Sequence, residues 1–403
     1  MKVVAGSRAV RAAGALLAAA LILPAAAACG ADVPGHALRQ AADTANLDVG
    51  NYPTKQRVIG RAKTQKQART RESQRLADFV ALPSEADPAY TDDAMGLSTH
   101  VVLNRHGMGK LVINDTFNDV AKDLVAGWQN AMSTPVDPNG NARTLNIAVL
   151  EFPSAKIAAD VGPTLEHDDF TYNIDNAPVD LVKHPEGKAH WRPAISSIGS
   201  WTVHDRYVVF IKVVDGTAAP DLPSLVSFTD TMLDTELPLL DKFVPTPADQ
   251  LMNIDMDPGG LLGRTLPSNP ENPLRADVDG VYVGRGAASG MQNAGLNFLK
   301  TGDLDLVAFG DGAVFRSRTT KGALALWQDE QPSTHLTSTR RMADPPKGLG
   351  ANVECFTDLT DKGDPIMNLC ILQVDRYTAE TAAKNLQDLH QKTTAQYVLL
   401  TAA

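Results

Sequence analysis

Residues 207–214 read YVVFIKVV, an apolar run broken only by Lys212. An extended chain of this composition is hydrophobic on both faces, so it belongs in the middle of a sheet that is covered on both sides. The flanking sequence supplies those covers. "TLNIAVLEF" (144–152) reads as a strand, and "PSAKIAADVG" (153–162) as a short helix opened by Pro153 and closed by Gly162. "HWRPAISSIGSWTV" (190–203) reads as a further strand, joined to the central one through His204 and Asp205. A helix follows from about Leu222 to Leu240, with Leu222, Leu225, Val226, Thr229 and Leu233 on one face. Upstream, Phe117, Val120, Ala121, Leu124, Val125, Trp128, Ala131 and Met132 fall at helical spacing behind Asp115 and Thr116. This predicts an amphipathic helix from 115 to 132.

The same order returns later in the chain. "LDLVAFGDGAVFRSR" (304–318) reads as a strand or hairpin and "TTKGALALW" (319–327) as a helix. "NVECFTD" and "NLCILQVDRY" read as strands, and 379 to about 400 as mainly helix. Both halves carry Asp-Arg-Tyr at a hairpin, 205–207 and 375–377. The triplet falls at a strand's start in the first half and at a strand's end in the second. The fold class is therefore α+β, with two domains of approximate order β-α-β-β-α at 95–244 and 276–403. Six prolines between Pro245 and Pro273 mark 245–275 as the connection.

Lys2, Arg8 and Arg11 precede an uncharged run at 12–28, and Ala26, Ala27 and Ala28 lead into Cys29. This is a signal peptide over 1–28. The junction resembles a bacterial lipobox, with Ala26 where leucine is preferred and Gly30 as expected. Cys29 then becomes a lipid-bearing N-terminus at the extracytoplasmic face of the cell membrane. The same small residues also suit cleavage in ordinary secretion. Residues 29–94 read as a tether with a basic segment.

Without residues 1–28 the chain has 375 residues and its formal charge falls from −10 to −13. Residues 55–75 carry +7 of local charge and the remainder −20. So acidic a chain is no partner for nucleic acid. The basic stretch reads either as a collar for anionic headgroups or as a solvated helix or linker.

With Cys29 taken by lipid, Cys355 and Cys370 remain as an even pair in an exported chain. A turn centred on Lys362 and Gly363 sets them opposite each other, within bridging reach. A two-residue turn makes theirs a hydrogen-bonded pair, poor geometry for a bridge, and a longer loop through Pro365 shifts that.

Several phrases resemble one family: "LDVGNYPTKQR" (47–57), "LPLLDKFVPTPADQL" (237–251), "DPGGLLGRTLP" (257–267), "GVYVGRGAA" (280–288), "DRYTAE" (375–380) and "TAQYVLL" (394–400). They are similar to two-domain lipoproteins of actinobacteria, of mycobacterial and nocardial type. The resemblance implies an exported, lipid-anchored protein of two domains, and carries over no catalytic or binding residue.

Motifs for chemistry are sparse. No Gly-x-Ser-x-Gly elbow occurs. "GRGAASGMQNAG" (284–295) departs from the dinucleotide fingerprint and lacks the P-loop lysine, so it reads as a turn or loop. Glu166, His167, Asp168 and Asp169 offer an acid–base pair or metal ligands on a loop, but adjacent residues seldom converge on one ion. His100 and His106 share a face if both lie on one strand, without a third ligand. Trp128, Trp191, Trp201 and Trp327 sit in apolar patterns and read as core.

The reading is thus a lipid-anchored envelope protein with a binding or assembly role. Its partner is the membrane, through its lipid, together with an envelope lipid, glycan or protein. It has no catalytic residue, cofactor or metal. The alternative is an extracytoplasmic hydrolase or metal-dependent enzyme built from dispersed loops, with Glu166 and His167 the first residues to examine.

Overall fold

The apolar run at 207–214 is the middle of a sheet. The computed structural model describes residues 46–94, 99–109, 112, 115–271, 278–291, 296–349 and 351–402, so the leader and Cys29 lie outside the described residues. The first sheet holds β1 (Asp92–Asp93), β2 (His100–Val101), β3 (Ala126–Ser133), β4 (Arg143–Glu151), β5 (Ala177–Asp180), β6 (Lys188–Arg192), β7 (Ser197–His204) and β8 (Tyr207–Asp215). Its order is β1-β3-β4-β8-β7-β6-β5, with β2 also on β3, and every pairing is antiparallel.

The second sheet holds β9 (Gly280–Tyr282), β10 (Leu304–Gly310), β11 (Gly312–Ser317), β12 (Arg340–Ala343), β13 (Asn352–Leu359), β14 (Pro365–Val374) and β15 (Tyr377–Ala383). From its other edge it runs β9-β10-β11-β15-β14-β13-β12, the same path as the first. Six helices matter below: α1 (Gln65–Leu76), α2 (Ala155–Tyr172), α3 (Leu222–Leu240), α4 (Gly284–Gly290), α5 (Thr320–Asp329) and α6 (Leu386–Thr401). Each half is a hairpin, a helix (α2 or α5), four strands and a closing helix (α3 or α6). The chain is α+β, and one sheet plan occurs twice.

The Asp-Arg-Tyr triplets occupy the same place in both copies. Tyr207 opens β8 opposite His204, and Tyr377 opens β15 opposite Val374. Tyr377 therefore begins a strand, where the sequence placed it at a strand's end. The Arg206 carbonyl accepts the Phe152 amide at 2.9 Å, and the Arg376 carbonyl accepts the Ser317 amide at 2.8 Å.

Other expectations need correction. The helix expected at 115–132 is one short turn, Phe117–Val120, followed by β3. All eight residues of β3 are buried. Asn130 takes the Trp128 indole N–H at 2.8 Å and donates to the Val80 and Ala81 carbonyls. Helix α2 does not stop at Gly162 but continues to Tyr172 with Pro163 inside it. Gly162 passes so close to Val203 that an added Cβ would sit 2.4 Å from a Val203 methyl. "GRGAASG" is helix α4, not a loop. Asp78 holds its first turn by accepting the Arg285 amide, and its position leaves no room for a Cβ on Gly284, whose φ is 46°.

The largest correction concerns the basic segment. Helix α1 lies inside the protein, with Thr70, Arg71, Glu72, Ser73 and Gln74 buried. Arg69 donates to the Val125 and Leu103 carbonyls, and Ser73 accepts the Gly127 amide, all beside the first sheet. Arg71 donates to the Val281 carbonyl of β9 at 2.7 Å and to Asp255 at 3.2 Å. The Glu72 carboxylate accepts from Thr246 and Arg75. Arg57 donates to the Leu262 and Thr265 carbonyls. Four of the eight basic residues are thus committed inside the fold, which neither a headgroup collar nor a solvated linker allows.

The described part of the connection is equally anchored, through Thr246, Asp255 and an Asp257 carboxylate that accepts the Leu262 and Gly263 amides. One apolar core joins the α3 side of the first sheet to the α5 side of the second; Val209, Ile211, Leu233, Tyr282, Phe315 and Leu326 all belong to it. Residues 42–403 form one compact unit. Domains that meet only through a free linker do not describe this arrangement.

Cys355 and Cys370 are joined by a disulfide with 4.1 Å between their α-carbons. A register shift between Asp358 and Leu359 changes the parity expected of a two-residue turn. The short Cα separation is that of a non-hydrogen-bonded pair.

Candidate functional site

Helix α2 starts on Ser154, whose hydroxyl accepts the Ile157 amide, and buries Ala158, Val161 and Leu165 against the first sheet. The helix then carries "EHDDF" along its last turns instead of on a loop. His167 is exposed and Glu166 half-buried, with burial pushing the Glu166 carboxyl up. As neighbours on a helix they face different directions and form no acid–base pair. Asp168 accepts the Thr116 hydroxyl. Asp169 alone turns inward, taking the Trp201 indole N–H at 2.9 Å, with its carboxylate 3.6 Å from His190 Nε2.

His100 and His106 do not share a strand. His100 Nε2 lies 2.7 Å from the Gly107 carbonyl, and His106 is exposed on a short helical turn. Among the described residues no three His, Cys, Asp or Glu side chains gather around a possible ion. Trp128 and Trp201 are core residues, and Trp201 also orients Asp169. Trp191 and Trp327 are half-buried.

Asp169 is one wall of a cleft of about 120 Å³ beneath the end of α2. Tyr172, Asn173, Asn176, His190, Arg192, Ile195, Ser197, Gly199, Phe210 and Lys212 complete the lining. Across the strands His190, Gly199 and Lys212 lie side by side. Gly199 lets the imidazole lie flat on the sheet, because a Cβ there would meet the ring at 2.9 Å. Burial holds His190 below its ordinary pKa, against the pull of Asp169, so the imidazole is neutral. Burial also lowers Lys212 and raises Asp169, while their opposite charges counter both shifts. Sequence reasoning missed Lys212, although a lysine inside an otherwise apolar central strand was the signal for it.

A second cleft, of about 330 Å³, opens at the same place in the second copy. It lies beneath the end of α5 and is lined by Asp329, Glu330, His335, Arg340, Phe356, Leu369, Ile371 and Glu380. Phe356, Leu369 and Ala382 pair across the strands as His190, Gly199 and Lys212 do in the first copy. Equal positions thus hold opposite chemistry. The floor is apolar, the rim is rich in carboxylates, and the Arg340 guanidinium lies 3.9 Å above the Phe356 ring while bonding Asp358.

Residues 59–256 match "Domain of unknown function (DUF7373) N-terminal" and residues 261–403 match "Domain of unknown function (DUF7373) C-terminal". The chain belongs to the DUF7373 family. The N-terminal DUF7373 domain begins before α1, earlier than the expected start at 95, and the boundary falls in the turn around Gly259. No curated protein matches the chain. Among solved structures, the extracellular domain of PknH from Mycobacterium tuberculosis is similar over 40% of this chain and 96% of that one. The identity is 14% and the TM-score 0.27, a likeness too loose to carry an argument. Among the described residues no helix is long and apolar enough to cross a membrane.

Proposed function

We propose that this DUF7373 protein is an exported actinobacterial lipoprotein, anchored through Cys29, that binds a ligand at the cell envelope without transforming it. The observation that carries the binding role is the cleft of the second copy. Its volume of about 330 Å³ lies within the range of small-molecule sites, and it combines an apolar floor with a few polar groups at its edge. Phe356, Leu369 and Ile371 receive the apolar part of an envelope lipid, glycan or peptide. Asp329, Glu330 and Glu380 accept hydrogen bonds from its hydroxyl or amino groups.

Native mass spectrometry of the mature protein taken from its own membrane tests this. The expected result is a retained mass that Ile371→Asp abolishes while the fold persists by circular dichroism. A protein that carries no such mass, or one that keeps it unchanged in Ile371→Asp, overturns the reading.

A further inference from the structure

The smaller cleft, under α2, has its own chemistry. His190 is 8% exposed and, among the described residues, reaches Asp169 and the edge of the Phe170 ring. Arg192 lines the same cleft, and its guanidinium makes no hydrogen bond or ion pair among the described residues. Its Nε is buried without an acceptor. Lys212 brings a second cation to the wall. One carboxylate, Asp169, opposes them and offsets one of the two charges. With His190 neutral the lining carries a net positive charge in a chain whose total is −10. A narrow cleft of one sign focuses its field on an ion of the other.

Size narrows the ion. A volume of about 120 Å³ equals roughly four water molecules at about 30 Å³ each. That admits a phosphate group, and anything larger attached to the phosphate lies outside the cleft. The mouth adds a further restriction. Tyr172 and Ile195 line it while 59% and 45% exposed. A cationic pocket with an apolar rim suits a phosphate that carries an apolar chain.

We infer that the first-copy cleft is a second binding site, which takes the phosphate of an amphiphile between Arg192 and Lys212 and rests its apolar chain on Tyr172 and Ile195. The phosphate keeps its charge and neutralises the unpaired guanidinium, the strongest geometry for such a group. No bond forms or breaks. The site is independent of the larger cleft, which is lined by a different set of residues.

Isothermal titration in neutral detergent of the mature protein carrying Ile371→Asp, which disables the larger cleft, tests the inference with hexyl phosphate, inorganic phosphate and hexanol. Hexyl phosphate is expected to bind at least tenfold more tightly than inorganic phosphate, and hexanol not at all. Arg192→Gln should weaken hexyl phosphate at least tenfold. The pair Tyr172→Ser and Ile195→Ser should bring it down to the level of inorganic phosphate. Hexanol binding as well as hexyl phosphate, or an unchanged affinity in Arg192→Gln, overturns the site. Inorganic phosphate binding as tightly as hexyl phosphate overturns the amphiphile.

Discussion

Asp205 and Asp375 stand at one turn in two copies of the same sheet, with φ of 48° and 50°. Both are in the left-handed region, where a side chain is strained and glycine is not. Asp205→Gly and Asp375→Gly are expected to stay within about 0.5 kcal/mol of the parent, and valine at either position to cost about 1–2 kcal/mol. Urea unfolding midpoints measure this. A valine variant as stable as the glycine variant would show that the turn is not strained.

The disulfide between Cys355 and Cys370 closes a loop with a sequence separation of 15. The chain-entropy estimate for such a loop is about 3 kcal/mol. Cys355→Ala with Cys370→Ala should lose about that much and leave the sheet intact. Alkylation of the denatured, unreduced protein should label neither thiol, and full labelling of both excludes the bond.

Helix α1 predicts that the halves unfold together. Glu72 is fully buried and holds Thr246 and Arg75. Glu72→Ala leaves the half-buried Thr246 donors without their acceptor and takes one of Arg75's partners, and should cost about 1–3 kcal/mol. Calorimetry is expected to show one transition in both parent and variant. Two separated transitions in the parent would mean that the shared core is not cooperative.

Glu151 and Glu236 set the pH dependence. Burial pushes both carboxyls up to about 8. The folded protein therefore keeps protons that the unfolded chain releases above a pH of about 4.5. Their contribution is complete below that value and is lost as pH rises toward 8, with a slope of at most about 1.4 kcal/mol per pH unit for each group. The melting temperature should fall from pH 5 to pH 8, and Glu236→Gln should flatten the fall. A melting temperature that rises over this interval contradicts the assignment.

Anchoring should depend on Cys29. Each buried CH₂ of an attached acyl chain contributes about 0.8 kcal/mol to membrane retention. Cys29→Ser is expected to leave carbonate-washed membranes or to accumulate as precursor. Retention equal to the parent refutes lipid attachment at this residue.

The strands whose buried groups are mostly apolar were legible: β4, β8 and the β13–β14 hairpin lie where their composition puts them. Strand β3 was not, because both its faces are buried and no alternation marks it. Its Gln129, Asn130 and Ser133 imitate the wet side of a helix, yet they are interior groups. Helix α1 hid for the same reason. Arg71 and Glu72 look solvated in the sequence, and partners distant in the chain, Val281, Asp255 and Thr246, help make their burial tolerable. The clefts were partly legible. Asp169 lay within a noted cluster, but His190 and Lys212 reach it only through strand register, which composition does not encode.

Helix α1 is also made long before it is needed. During synthesis it precedes Val125 by 56 residues and Val281 by 210, counted from the arginines that bind them. Arg71 stays hydrated until β9 exists, so the core that α1 borders is unfinished until then. Closing contacts of such span is slow. A chain cut short anywhere before β9 would therefore expose an unfilled core with charged groups in it, the kind of intermediate that aggregates or is degraded.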